Sequence, residues 1–285
     1  MTRRIETICE IQACVAACRQ KGMSVGFVPT MGAFHLGHLS LMNQARREND
    51  AVIVSIFVNP LQFSAGEDYD RYPRRLQQDQ KMAESENVDA IFIPSVAELY
   101  PKGFDSFVDQ TDLPAKLCGA FRPGHFRGVM TIVCKLFNIV QPDTAYFGQK
   151  DYQQYLIIRR MATDLNLGVR VRLMPTVREE DGLAMSSRNT YLNSAERASA
   201  LCLYQSIQEA RKAVAQGELK TVALAGLVRA HIESVAGTEI DYVSFVDAGT
   251  LAPVATVDRQ TLLALAVRIN GKVRLIDNGL VLKAD

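Results

Sequence analysis

The chain has 285 residues, 48% of them hydrophobic, a net charge of +1, and six cysteines that form no Cys-x-x-Cys pair. That length suits two domains of about 100–200 residues each; the charge gives no electrostatic case for nucleic acid or an acidic membrane, and no run approaches the roughly 20 apolar residues of a spanning helix. Met1 to Glu6 is basic, but no apolar stretch follows, which predicts no secretory signal and free thiols in a reducing cytoplasm.

Ile8, Ile11, Val15 and Cys18 fall at helical spacing, so residues 5–21 predict an amphipathic helix with Cys18 as core filler. Ser24 to Val28 is short, apolar and partly β-branched, the pattern of a buried strand. Pro29 to Leu41 follows, with Gly32, His35, Gly37 and His38, and a helix is expected from His38 to Arg47. Strand, Gly-rich turn and helix in that order make a phosphate-binding junction, because the first helical turn has unpaired N–H groups and a positive dipole end. His35 and His38, two of four histidines, are placed to donate to phosphate oxygens; the pair equally suits one core histidine and one helix cap. No Cys cluster or Glu-x-x-His partner completes a zinc site.

Ala51 to Val58 is a continuous apolar run, the mark of a strand buried on both faces. It ends in Asn59-Pro60-Leu61-Gln62-Phe63, so Asn59 and Gln62 are candidates for substrate hydrogen bonds or for a loop held by its own amides. A charged helix over Arg75 to Asn87 carries Asp79, which taken alone reads as surface charge rather than a site; a third strand spans Ala90 to Pro94, and Tyr100 to Lys116 is an irregular linker. Gly119 to Val129 is basic and Gly-rich, with Arg122, His125 and Arg127; before the apolar helix Val129 to Val140 it suggests either a second anion contact or a solvated surface loop. Thr144 to Phe147 is a fourth strand, and the helix after it opens with Lys150 and Asp151. A lysine there can hold phosphate and an aspartate Mg²⁺, or the two can form an ordinary salt bridge.

Val169 to Met174 is a fifth strand, Glu179 to Gly182 a turn, and Met185-Ser186-Ser187-Arg188-Asn189 a loop able to wrap a triphosphate. Composition then changes. Asn193 and Glu196 cap a helix that Gly217 stops, and Leu224, Leu227, Val228 and His231 mark another, with His231 structural. Three β-rich runs close the chain, Ile240 to Val246, Thr261 to Ile269 and Val273 to Leu282, the last two joined by an Asn270-Gly271 hairpin turn. The fold class is α/β: a parallel-sheet domain over residues 1–178, then a smaller α+β domain over residues 179–285.

The candidate groups together suit a nucleoside triphosphate with Mg²⁺. There is no Gly-x-x-x-x-Gly-Lys-Ser/Thr and no Gly-x-Gly-x-x-Gly, which excludes a P-loop and argues against a dinucleotide oxidoreductase. Nucleotidyl transfer needs positioning and charge stabilisation rather than a protein nucleophile.

Six motifs in order, Pro29 to Leu41, Asn59 to Phe63, Tyr72-Pro73-Arg74, Arg122 to Val129, Tyr146 to Asp151 and Met185 to Asn189, closely resemble the pantoate–β-alanine ligase family over nearly the whole chain. Phe34 and Leu36 stand where that family often has Leu and Glu. The resemblance implies an ATP-dependent enzyme of pantothenate synthesis. In it the pantoate carboxylate attacks the α-phosphorus, and β-alanine then attacks the pantoyl adenylate. It further implies that His35 and His38 contact the triphosphate, and that Lys150, Ser186, Ser187 and Arg188 hold its β- and γ-phosphates. Asp79 and Asp151 would lie near Mg²⁺; Gln62 and Gln154 would hold pantoate, helped by Pro29, Met31 and Asn59. Gly148, Val177 and Met185 would line the adenosine pocket. A cytoplasmic homodimer is implied, with a Rossmann-like first domain and a C-terminal domain that covers the site. Another nucleotidyltransferase would share the histidines but not Asn59 to Phe63. A class I aminoacyl-tRNA synthetase fragment should carry a basic anticodon-binding part, and a non-enzymatic nucleotide module should have lost Lys150, Arg188 or the histidines.

Overall fold

Val25–Thr30 and Ala51–Ile56 are buried almost throughout, and such runs pair side by side where helices cover both faces of a sheet. The structure, a computed structural model, describes residues 2–64 and 66–282. These divide into two compact units: one runs to Pro114 and resumes over Arg122–Gln149 and Gln154–Pro175, and the other holds Ala115–Phe121, Lys150–Gln153 and the described residues from Thr176 onward.

The elements of the first part of the chain are β1 (Arg3–Ile5), α1 (Ile8–Gln20), β2 (Val25–Thr30), α2 (Leu36–Glu48), β3 (Ala51–Ile56), α3 (Leu76–Ser85), β4 (Ala90–Phe92) and α4 (Val96–Leu99). They continue with α5 (Leu117–Phe121), α6 (His125–Val140), β5 (Thr144–Gly148), α7 (Tyr152–Asp164) and β6 (Arg170–Met174). The sheet order is β1-β4-β3-β2-β5-β6, with every neighbouring pair parallel. Leu41, Met42 and Ala45 of α2 pack on Val28, Val52 and Val54 of the central strands.

The helix expected over residues 5–21 starts at Ile8, because Arg3–Ile5 is an edge strand. Arg3 N–H donates to Asp89 O at 2.9 Å and Ile93 N–H to Ile5 O at 2.8 Å. Only Ile5 of the three is buried, so no local period marks the strand; its partner β4 determines it. Thr7 and Glu10 form the capping box that sets the helix start.

In the second unit, α8 (Ser194–Ala200), α9 (Cys202–Ala215) and α10 (Thr221–Glu233) precede an antiparallel sheet of β7 (Thr238–Asp247), β8 (Thr261–Ile269) and β9 (Val273–Leu280). The single helix expected after Asn193 is thus two, with Leu201 between them. Leu203, Ile207, Leu224 and Val228 meet Phe245, Leu263 and Leu265 in its core. Asn270 and Gly271 have φ of +48° and +65°, the two left-handed residues that a tight hairpin turn needs. All six cysteines are free thiols, Cys18 only partly buried, and no helix among the described residues is long and apolar enough to cross a membrane.

Candidate functional site

β2 pairs with β3 on one side and β5 on the other, so the strand order reverses at its carboxyl end. Open parallel sheets bind ligands outside that point. Pro29 lies near the end of β2, and Met31 begins the turn into α2. Gly32 and Ala33 are left-handed there, with φ of +82° and +52°. His35 is the N-cap of α2: its Nδ1 accepts from Gly37 N–H at 3.2 Å, while His38 Nδ1 accepts from His35 N–H at 3.3 Å. The two rings lie 4.1 Å apart. An imidazole whose Nδ1 accepts carries its proton on Nε2 when neutral. Capping therefore leaves the proton of a neutral ring on Nε2, so it is compatible with donation to a phosphate. The first turn of α2 holds no acidic residue to offset its positive end.

Asp79, on the first turn of α3, is not a surface charge: it is 1% exposed and faces the same turn, its carboxylate held by backbone N–H groups. Its Oδ2 accepts from Ala33 N–H at 2.9 Å and its Oδ1 from Phe34 N–H at 2.7 Å. Burial pushes its carboxyl above the ordinary aspartate value, against the pull of those two donors.

A second cluster follows β3. Asn59 caps the 3-10 turn Pro60–Gln62, its Oδ1 accepting from Leu61 N–H at 3.3 Å and from the Tyr100 hydroxyl at 2.8 Å. Its amide donates to Gly128 O at 3.0 Å and to Gln62 Oε1 at 3.2 Å. The Gln62 amide is thereby oriented, with Nε2 turned to Met31 Sδ at 3.1 Å. α6 comes this close because residue 128 is glycine: a Cβ there would lie 2.2 Å from Leu61 O. Gln62 O accepts from His125 Nδ1 at 2.7 Å and Arg122 Nη2 at 3.2 Å, and Arg122 Nη1 donates to His125 Nε2 at 3.0 Å.

Arg122 also grips Glu67 through two hydrogen bonds of 2.6 and 2.5 Å. Burial pushes the Glu67 carboxyl up, but the Arg122 hydrogen bond and charge hold it below the usual glutamate range. In this basic loop Arg122 is paired with the protein's own Glu67 carboxylate, and Arg122 and His125 brace the backbone of Gln62. Tyr100 and Glu67 carried no sequence signal, since each lies in irregular chain and acts on residues distant in sequence. Gln154 lies on α7 and is partly buried.

In the second unit, Lys150 Nζ is 3.8 Å from Asp151 Oδ2, with the Asp151 side chain 48% exposed, a loose pair. Lys150 O accepts from Asn278 Nδ2 at 2.9 Å. Next to it on β9, the buried Asp277 takes hydrogen bonds of 2.6 and 2.9 Å from Arg178. Arg178 sits in a narrow turn closed by Met185 N–H to Val177 O at 3.0 Å and Glu179 N–H to Leu183 O at 2.9 Å. Val177 and Met185 are thus brought side by side. Ser186 caps the 3-10 turn Ser187–Tyr191, its Oγ accepting from Arg188 N–H at 3.3 Å, and Ser187 is buried. Gly148 ends β5 in the first unit. No group of three or more His, Cys, Asp or Glu among the described residues could hold a metal ion.

Residues 3–280 match the family model described as pantoate-beta-alanine ligase. The chain is 53% identical over 276 residues to a pantothenate synthetase of Thermotoga neapolitana, covering 97% of this chain and 98% of that one. It is 55% identical over 279 residues to one from Heliobacterium modesticaldum, at 98% and 99% coverage. Among solved structures, a pantothenate synthetase from Thermus thermophilus superposes with a TM-score of 0.94 at 44% identity, covering 98% of this chain and 99% of that chain. A pantoate-beta-alanine ligase from Francisella tularensis, complexed with beta-gamma ATP and beta-alanine, gives 0.81 at 34% identity, at 99% and 98% coverage.

Proposed function

The chain belongs to the pantoate–β-alanine ligase family, and from that premise we propose how its residues divide the work. The enzyme condenses pantoate with β-alanine at the expense of ATP, through a pantoyl adenylate, releasing AMP and pyrophosphate. In the first step a pantoate carboxylate oxygen bonds to the α-phosphorus and the bond to pyrophosphate breaks. In the second the β-alanine amine attacks the acyl carbon, AMP leaves and the amine loses a proton. Substrate supplies both nucleophiles, so the protein needs none of its own.

His35 and His38 donate from Nε2 to phosphoryl oxygens as negative charge builds on them. Lys150 adds a point charge, and Ser186, Ser187 and Arg188 hold the β- and γ-phosphates. Met31 and Gly148 contact the nucleotide, with Val177 and Met185 at the adenosine. Gln62 offers pantoate its Nε2–H, helped by Asn59, Gln154 and the backbone at Pro29 and Met31. The observation that carries this reading is the engagement of both Nδ1 atoms by backbone N–H groups at the start of α2, which leaves the histidines as Nε2 donors.

The half-exposed Asp151 suits an Mg²⁺ held mainly by phosphate oxygens, which usually keeps only one or two protein carboxylates. Bound Mg²⁺ would neutralise charge on the leaving pyrophosphate. The proposal extends to a cytoplasmic homodimer, in keeping with six free thiols; light scattering of the purified protein checks the assembly.

Transfer of ¹⁸O tests the chemistry. Pantoate labelled in its carboxylate should leave one labelled oxygen in AMP. Label in orthophosphate, with ADP formed, would instead place the attack at the γ-phosphorus.

A further inference from the structure

Asp79 was expected near Mg²⁺, yet its setting is that of an internal anion. It is 1% exposed, and each carboxylate oxygen accepts a backbone N–H from the turn that leads to His35. That turn is left-handed at Gly32 and Ala33, and the consecutive N–H groups of Ala33 and Phe34 converge on one carboxylate, as turn backbone can do for an anion. The fit is tight: a Cβ on Gly32 would stand 3.0 Å from Asp79 Oδ2 and 2.9 Å from Ile56 Cγ2. Mg²⁺ demands nearly octahedral oxygen ligands at about 2.0–2.1 Å and keeps several waters. A buried carboxylate met by two N–H hydrogens has neither the open side nor the room for that shell.

We propose that Asp79 is a positioning residue, which sets the turn carrying His35 and His38, and is not a ligand of Mg²⁺. It acts from α3 on residues 45 and 46 positions earlier. By holding Ala33 and Phe34 it sets where the N-cap of α2 begins and so where both imidazoles stand. Ala33 also needs this anchor because a non-glycine residue at positive φ is strained by itself. The inference rests on the reading of His35 and His38 as phosphate donors.

Two measurements decide it. In the unmodified protein, the Ala33 and Phe34 amides should be protected from hydrogen exchange, and adding Mg²⁺ to the ATP-bound enzyme should leave that protection unchanged. Faster exchange at those two amides on adding Mg²⁺ would show the carboxylate turning to the metal and overturn the proposal. In Asp79→Asn one N–H loses its acceptor. The kcat for pyrophosphate release should fall at least about tenfold, with KM for ATP and pantoate within about twofold and the half-saturating Mg²⁺ concentration unchanged.

A raised Mg²⁺ requirement, with the rate restored by excess metal, would make Asp79 a ligand after all. Should Asp79→Asn not fold, Gly32→Ala presses on the same carboxylate without removing it and should show the same split. Pyrophosphate release by the unmodified enzyme that ignores pantoate would defeat the reading of the site itself. The amide exchange would still decide what Asp79 does.

Discussion

The Tyr100 hydroxyl donates to Asn59 Oδ1 at 2.8 Å, and through that bond a residue of the linker fixes which way Gln62 points. Burial pushes the Tyr100 pKa up, so the phenol stays a donor. With its oxygen engaged, Asn59 turns its amide to Gln62 Oε1, and Gln62 presents its own Nε2–H. Tyr100→Phe removes one hydrogen bond worth about 0.5–1.5 kcal/mol. It should raise KM for pantoate up to about tenfold with KM for ATP nearly unchanged. Gln62→Ala should do the same more strongly. Initial-rate kinetics that show both substrates weakened equally would remove the assignment.

On the proposed reading the histidines carry two duties, helix capping and donation to phosphate, and one substitution can separate them. Asn is as good an N-cap as any residue, but it has no counterpart of Nε2. His35→Asn should therefore keep stability within about 1 kcal/mol of the parent. Adenylate formation should fall about 10²-fold or more, as for other lost oxyanion donors. His38→Ala and Lys150→Ala should lose activity on the same scale. Thermal unfolding and pyrophosphate release, measured together, check this; near-normal turnover in His35→Asn would make His35 a cap and nothing more.

Acid should release the brace behind Gln62. The carboxyl of Glu67 is held below its ordinary value in the folded state, so its pairing with Arg122 stabilises the fold above about pH 4.3, the unfolded value. That contribution is lost as pH falls further, through the folded-state pKa. Glu67→Gln should accordingly be less stable than the parent at pH 7, and the gap should be smaller at about pH 3. Urea midpoints at the two pH values measure it, and an equal gap at both would contradict the pairing.

Arg178 and Asp277 form a two-bond pair in which the carboxylate is buried and the guanidinium partly so, with the Arg178 and Asp277 side chains 21% and 2% exposed. Removing one partner of such a pair leaves an uncompensated charge and costs about 3–5 kcal/mol. Asp277→Ala should lose stability on that scale in denaturant unfolding. It should also raise KM for ATP, since β9 holds the Lys150 carbonyl through the adjacent Asn278. A loss within ordinary surface variation would show the pair to be incidental.

The strands and most helices were legible because burial writes itself into sequence: the run Ala51 to Val58 could be little else than an inner parallel strand. The turn after β2 was legible for a different reason, since glycine and histidine are restricted there by backbone and chemistry alike. β1 was not, because three residues with one buried side chain take their conformation from β4. The groups that hold the candidate side chains in place were equally hidden. Tyr100, Glu67 and Asn278 each act across a long sequence separation on another residue's amide or carbonyl, and no local pattern records such a contact. Asp79 shows the converse: its presence on a helix was plain, but only the two N–H groups it faces reveal what it binds.

The most direct test of the account is pyrophosphate release from ATP and Mg²⁺ with pantoate present and β-alanine withheld. The account predicts a burst of pyrophosphate that requires pantoate, with AMP and pantothenate appearing only once β-alanine is added. Pyrophosphate formed only when β-alanine is already present, or formed without pantoate, would contradict a pantoyl adenylate made on this site.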